Sequence, residues 1–144
     1  MKRNTAIVLG VLFAAFIAAM VPSAILAADA PADRVIAIYF HRTQRCPTCQ
    51  KMGSYSEEAV KTGFVKQVKD GTVAFYYVDF QNSKNAALAK AYNISGPALI
   101  VAKISKNKVV KYADLADIWT KVADKKKFVK YVQTSVTASA AKPK

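Results

Sequence analysis

The chain has only two cysteines among its 144 residues, and they stand together as Cys46-Pro47-Thr48-Cys49. On the first turn of a helix this spacing brings the two Cα atoms within the roughly 4.4–6.8 Å that a disulfide requires, so the pair closes and reopens with little backbone movement. Pro47 suits that turn, where its missing N–H costs nothing. Cys46 is then the cysteine nearer solvent, at a helix N-terminus whose orphan N–H groups favour an anion, with Arg42, Arg45 and Lys51 adding positive charge nearby. The expectation is a nucleophilic Cys46 thiolate and a resolving thiol at Cys49. An inert structural disulfide would close only a tiny loop and save little unfolded-state entropy. A soft-metal site is the stronger rival: Cys46 and Cys49 with His41, the sole histidine, suit Cu(I). A hydrogen-bonding role for His41 at the end of a strand is the plainer alternative. The same counts exclude a disulfide-dense scaffold, a four-ligand Cys/His zinc site and a binuclear histidine cluster.

The elements around the motif follow from period and punctuation. Arg34 to His41 (RVIAIYFH) is β-branched and aromatic without polar alternation, the mark of a strand buried on both faces. A helix follows from Pro47 through Met52, Tyr55, Ala59, Val60, Phe64 and Val68, weakened at Gly53 and Gly63, with a capping-box spacing at Ser54 and Glu57 where it is able to restart. Asp70-Gly71 ends that unit. Thr72 to Phe80 is a second strand, Ser83 caps a short helix stopped at Asn93, and Ala98 to Ile104 and Val109 to Tyr112 flank a hairpin turn. Asp114 begins an amphipathic stretch and Asp124 caps another, through Phe128, Val132 and Val136. Thr137 to Lys144 reads as a frayed, disordered tail.

At the other end, Lys2 and Arg3 precede an apolar run from Ala6 to Val21 and small residues at Ala24, Ala27 and Ala28, the three regions of an export signal over residues 1–28. An uncleaved anchor is the alternative, since the uncharged stretch from Asn4 to Ala28 is long enough to span a bilayer. Either way residues 33–136 form one domain that works outside the cytoplasm: periplasmic, secreted or membrane-anchored. The full chain carries +13, and loss of Lys2 and Arg3 leaves 20 basic against 9 acidic residues, a net charge of +11. That surplus suits an acidic partner or an anionic membrane surface. It is spread without the aromatic interleaving of a nucleic-acid binder, so no nucleic acid is expected.

The order strand, helix, strand, helix, strand, strand, helix, with Cys46-Pro47-Thr48-Cys49 directly after the first strand, resembles the thioredoxin superfamily. The resemblance runs from Val35 to Val136 and extends to Val78–Asn82 (VDFQN) and Lys90–Pro97 (KAYNISGP). Within it, Tyr39–Cys49 (YFHRTQRCPTC), Glu58–Phe64 (EAVKTGF) and Tyr131-Val132-Gln133 look like a family of small exported bacterial proteins named for a nitrophenyl-compound nitroreductase subunit. The resemblance implies a thioredoxin-like α/β fold with a four-stranded mixed sheet in order 2-1-3-4 and helices on both faces. It implies a thiol–disulfide oxidoreductase without bound cofactor, served by a protein thiol or disulfide partner and a redox-recycling partner. A copper-binding or non-catalytic subunit of a redox complex is the alternative.

Two departures bear on the direction of electron flow. Thioredoxins carry a buried acid six residues before the first cysteine; the count falls here on Phe40. They also place a larger residue than Gly96 before a cis-proline, the position that Pro97 occupies here, whose bend makes Gly96 and Pro97 a substrate groove. An ordinary trans proline is the alternative at Pro97.

Overall fold

A computed structural model describes residues 30–141. The export signal read over residues 1–28 lies outside the described residues, as do the last three of the chain. No helix among those described is long and apolar enough to cross a membrane.

Four strands build the sheet: β1 (Arg34–His41), β2 (Val73–Asp79), β3 (Ala98–Ser105) and β4 (Lys108–Asp114). Their order is β2-β1-β3-β4, with β1 parallel to β2 and the remaining neighbours antiparallel. This is the mixed sheet expected from the sequence. The unbroken apolar run of β1 has its reason in that position, because a central strand is covered on both faces and needs no polar alternation.

Side chains of β1 alternate between two cores. Val35, Ala37 and Tyr39 face a core shared with α1 (Pro47–Gly63), α4 (Ile118–Lys121) and α5 (Lys125–Ala140). Ile36, Ile38 and Phe40 face a second core on the side of α3 (Ala86–Ala91), where Leu88 and Tyr92 pack. Helices thus cover both faces.

The local signals mostly hold, with shifts that packing explains. Helix α1 is continuous through Gly53 and does not restart at Ser54. It breaks at Gly63, after which Phe64 leaves the helical region and turns into the core before α2 (Val65–Asp70). Gly71 ends α2 at φ 79°, a left-handed conformation that suits glycine. Asn82, one residue before Ser83, caps the 3-10 turn that leads into α3. Asn93 takes the left-handed stop at φ 53°. Strand β4 runs on to Asp114, past the expected end at Tyr112, because its pairing with β3 continues to Ile100 opposite Asp114. Asp124 caps α5, accepting from the Lys127 N–H at 3.1 Å. The helix then continues through Thr137 to Ala140, where a frayed tail was expected. Val136 is fully buried, and the Lys103 ammonium donates to the Ala141 carbonyl just past the last turn. Docking on β3 holds an alanine-rich segment that composition alone leaves unassigned.

Candidate functional site

Parallel pairing of β1 with β2 carries the chain to one pole of the sheet, where β1 ends and a short loop leads to the cysteines. Asp79 and Gln81, at the end of β2, tie that loop down. The Thr43 hydroxyl donates to Asp79 at 2.7 Å, and the Thr43 N–H donates to the Gln81 side chain at 3.0 Å. Asp79 also accepts from the Gln81 N–H at 2.9 Å. These hydrogen bonds hold its carboxyl below the usual carboxylate range.

Cys46 is the N-cap of α1. Its backbone is extended at φ −69° and ψ 161°, Pro47 opens the helix, and the Cys49 N–H donates to the Cys46 sulfur at 3.2 Å. Sulfur occupies the place where Ser or Asp oxygen ordinarily caps, so the helix N-terminus itself favours the anion. Cys46 is exposed and Cys49, one turn further in, is buried; both are free thiols. Hydrogen bonding from the Cys49 thiol, then from the Cys49 and Thr48 N–H groups, lowers the Cys46 pKa. Burial, and then the same thiol hydrogen bond seen from its donor, raises that of Cys49. The two titrate as a pair with the proton resting on the inner sulfur.

Arg42, Arg45 and Lys51, expected to stabilise the thiolate, are all exposed, and hydrogen bonds rather than their charges are the largest causes of the Cys46 shift. The Arg45 guanidinium lies instead over the Tyr77 ring, 5.4 Å from its centroid. The helix N-terminus, which the sequence named alongside those basic side chains, supplies the leading hydrogen bonds.

The residue of β1 that faces the dithiol is Tyr39, not Phe40. Phe40 points to the opposite core and packs against Tyr92, with ring centroids 5.9 Å apart. Tyr39, fully buried, donates its hydroxyl to the Cys49 carbonyl at 2.8 Å. The parity of the strand settles this, since adjacent residues point to opposite faces. Burial, and then the neighbouring cysteine sulfurs, drive the Tyr39 phenol well above its ordinary range, so it holds its proton.

Tyr39 belongs to an aromatic group with Tyr77, His41 and Phe75. Tyr77 meets Tyr39 edge-on at 6.1 Å, His41 at 6.0 Å and Phe75 at 5.0 Å, and its hydroxyl donates to Glu57 at 3.1 Å. Burial, then the Glu57 hydrogen bond, pushes the Tyr77 phenol up to about 12. Gly53 makes the seat: a Cβ there would stand 2.8 Å from the Tyr77 ring and 3.0 Å from that of Tyr39. An interior helical glycine four residues after Cys49 is the sequence signal for that close approach. The backbone carbonyl of Arg42 lies 2.8 Å from His41 Nδ1, which donates, since a carbonyl only accepts. Among the described residues no three His, Cys, Asp or Glu side chains gather as a metal site.

Gly96 and Pro97 lie just before β3, whose first residue, Ala98, pairs with Phe40 at the end of β1. The topology therefore brings them to the dithiol pole. The bond into Pro97 is trans, and no peptide among the described residues is cis. Trans is the default for X-Pro unless surroundings impose the other isomer, and an added Cβ at Gly96 would meet nothing within 4 Å.

The chain is similar to two solved thioredoxins. One, the X-ray structure of Fasciola hepatica thioredoxin, has a TM-score of 0.41 and 20% identity over 71% of this chain and 81% of that one. The other, the solution structure of a thioredoxin from Thermus thermophilus, has a TM-score of 0.36 and 21% identity over 62% of this chain and 72% of that one. No family model and no curated protein matches.

Proposed function

We propose that this chain is an exported thiol–disulfide oxidoreductase that works through a Cys46–Cys49 dithiol/disulfide. The observation that carries this reading is the asymmetry of the pair. An exposed sulfur caps the helix and is favoured as thiolate, while a buried sulfur one turn inward keeps its proton.

In the reducing direction, the Cys46 thiolate attacks one sulfur of a partner disulfide. The partner S–S bond breaks, and its other sulfur leaves as a thiolate. The Cys49 thiol gives its proton to that leaving thiolate, and its sulfur attacks Cys46 Sγ. The mixed disulfide breaks, a second partner thiolate leaves and takes a proton from water, and the Cys46–Cys49 disulfide forms. Two electrons pass to the partner. The reverse sequence oxidises a partner dithiol, and a separate thiol or disulfide partner resets the pair in either case. Among the described residues no Asp or Glu acts on the Cys49 thiol, and Tyr39 beside it holds its own proton.

Residues 1–28 serve as the export signal, which places the domain in the periplasm or outside the cell. The net +11 of the remainder attracts an acidic partner or an anionic membrane surface. The segments Glu58–Phe64 and Tyr131–Gln133 support membership of the small exported family named for a nitroreductase subunit. They meet in the fold, where the Gln133 side chain lies against Gly63 and donates to the Ala59 carbonyl at 3.1 Å.

Trapping tests the roles. Cys49→Ser is expected to accumulate mixed disulfides through Cys46, and Cys46→Ser almost none. Equal trapping by both variants, or trapping by Cys46→Ser alone, would show the assignment to be wrong.

A further inference from the structure

We infer that the surface beside Cys46 formed by Arg45, Tyr77 and His41 docks the partner's redox-active segment, and that it selects a segment with an acidic side chain next to its cysteine. This rests on the oxidoreductase reading above and names the recognition surface of the same site.

Tyr77 is a large aromatic left 39% exposed, on the outer strand of the sheet, with no further strand beside it among the described residues. It is nevertheless held rigid. Its edges meet Tyr39, His41 and Phe75, its hydroxyl is fixed on Glu57, and α1 approaches it at Gly53 closely enough to leave no room for a methyl group. A rigid, half-exposed ring with two side-chain torsions is an anchor that loses little entropy when a partner covers it.

Arg45 precedes Cys46 in the chain and lays its guanidinium over this ring. Its backbone carbonyl accepts from the Gln50 side chain at 3.1 Å, which fixes the start of the side chain. The group is therefore held over the ring, placed to receive a carboxylate. The neighbouring acids are already engaged: Glu57 with Lys61 and Tyr77, and Asp79 with Thr43 and the Gln81 N–H. Among the described residues Arg42, Arg45 and Lys51 enter no ion pair. The rim of Cys46 thus carries three cations outside any ion pair against one nearby carboxylate, Asp79, whose hydrogen-bond donors are neutral. On the other side of the dithiol, Gly96 borders open space and offers no packed wall.

The test uses the reduced full-length protein and two synthetic peptides. Each holds one cysteine as a mixed disulfide with 2-mercaptoethanol, flanked in one peptide by glutamates and in the other by lysines. Protein oxidation is followed by acid quench and mass spectrometry. Each rate is divided by the same variant's rate with bis(hydroxyethyl) disulfide, which cancels any change in the Cys46 thiolate. Electrostatic complementarity at low salt predicts a wild-type preference of roughly tenfold for the acidic peptide, shrinking toward unity in about 0.5 M salt. Arg45→Ala and Tyr77→Leu are each expected to cut that preference to about twofold, and Tyr77→Phe to retain it. Equal wild-type rates, or a preference that survives both Arg45→Ala and Tyr77→Leu, would overturn the docking surface. Should Tyr77→Leu fail to fold, exposed Arg45 decides alone. No exchange with bis(hydroxyethyl) disulfide would overturn the oxidoreductase reading itself, a result distinct from exchange without preference.

Discussion

Gly53→Ala sets two effects of known size against each other at the site. In a helix interior alanine is favoured over glycine by about 0.8–1.0 kcal/mol, so propensity alone makes the substitution stabilising. The new Cβ, however, would lie 2.8 Å from Tyr77 Cε1 and 3.0 Å from Tyr39 Cδ1 and Cε1. Tyr39 cannot yield cheaply, being fully buried and tied by its hydroxyl to the Cys49 carbonyl. Tyr77 is braced by Phe75, His41 and Glu57. Overpacking of this kind costs about 1–3 kcal/mol, which outweighs the propensity gain and leaves a net loss of about 1 kcal/mol. With urea slopes of about 1–3 kcal/mol/M, the denaturation midpoint falls by roughly 0.5 M. Gly63→Ala is the control. Its Cβ meets the flexible Gln133 side chain at 2.6 Å, which can swing away at the loss of its hydrogen bond to Ala59. That hydrogen bond is worth about 1 kcal/mol, so the gain and loss nearly cancel. A raised midpoint for Gly53→Ala would refute the reasoning, because it would mean that the aromatic pair moves aside without cost.

Two further outcomes follow from the pair's electrostatics. Cys46 holds its thiolate to lower pH than an ordinary thiol of pKa about 8.5, and Cys49 holds its proton to higher pH, so iodoacetamide at neutral pH labels Cys46 first. Labelling falls as protons return to Cys46 on acidification; faster labelling of Cys49 at pH 7 would reverse the assignment. A helix N-terminus that stabilises the thiolate stabilises the reduced form, so equilibration with glutathione is expected to give a potential between roughly −230 and −120 mV. A value near thioredoxin's −270 mV or so would favour a membrane-fed reductant instead.

Much of the fold is legible residue by residue because its signals are local. The unbroken apolar run from Val35 to Phe40 specifies a central strand, Pro47 a helix start, Gly71 and Asn93 left-handed stops, and Asp124 a cap. Each is a choice that a few neighbouring residues make through backbone sterics or one hydrogen bond. The cysteine pair is local in the same way. Three residues of spacing and a proline are enough to put one sulfur on the helix cap and the other a turn inward. The end of α5 was not legible, because its last turn depends on the burial of Val136 and on Lys103 reaching the Ala141 carbonyl across the fold rather than on its own composition.

What surrounds the sulfurs is decided at longer range. Counting six residues back from Cys46 reaches Phe40, but counting does not fix which face of the strand that residue takes once the connecting loop has its actual path. The sheet turns Phe40 toward Tyr92 and gives the dithiol Tyr39. Basic residues close in sequence to Cys46 suggested a charge cluster, yet Arg45 finds the ring of Tyr77 across the sheet edge. The helical glycine at position 53 is a weakness by propensity and a requirement by packing, visible only when β1 and β2 deliver two aromatic rings to the same spot. Sequence determines which residues are able to do the chemistry, since identity and short spacing suffice for that. Tertiary structure decides which groups share their protons, dipoles and surface, because those depend on distances between residues far apart in the chain.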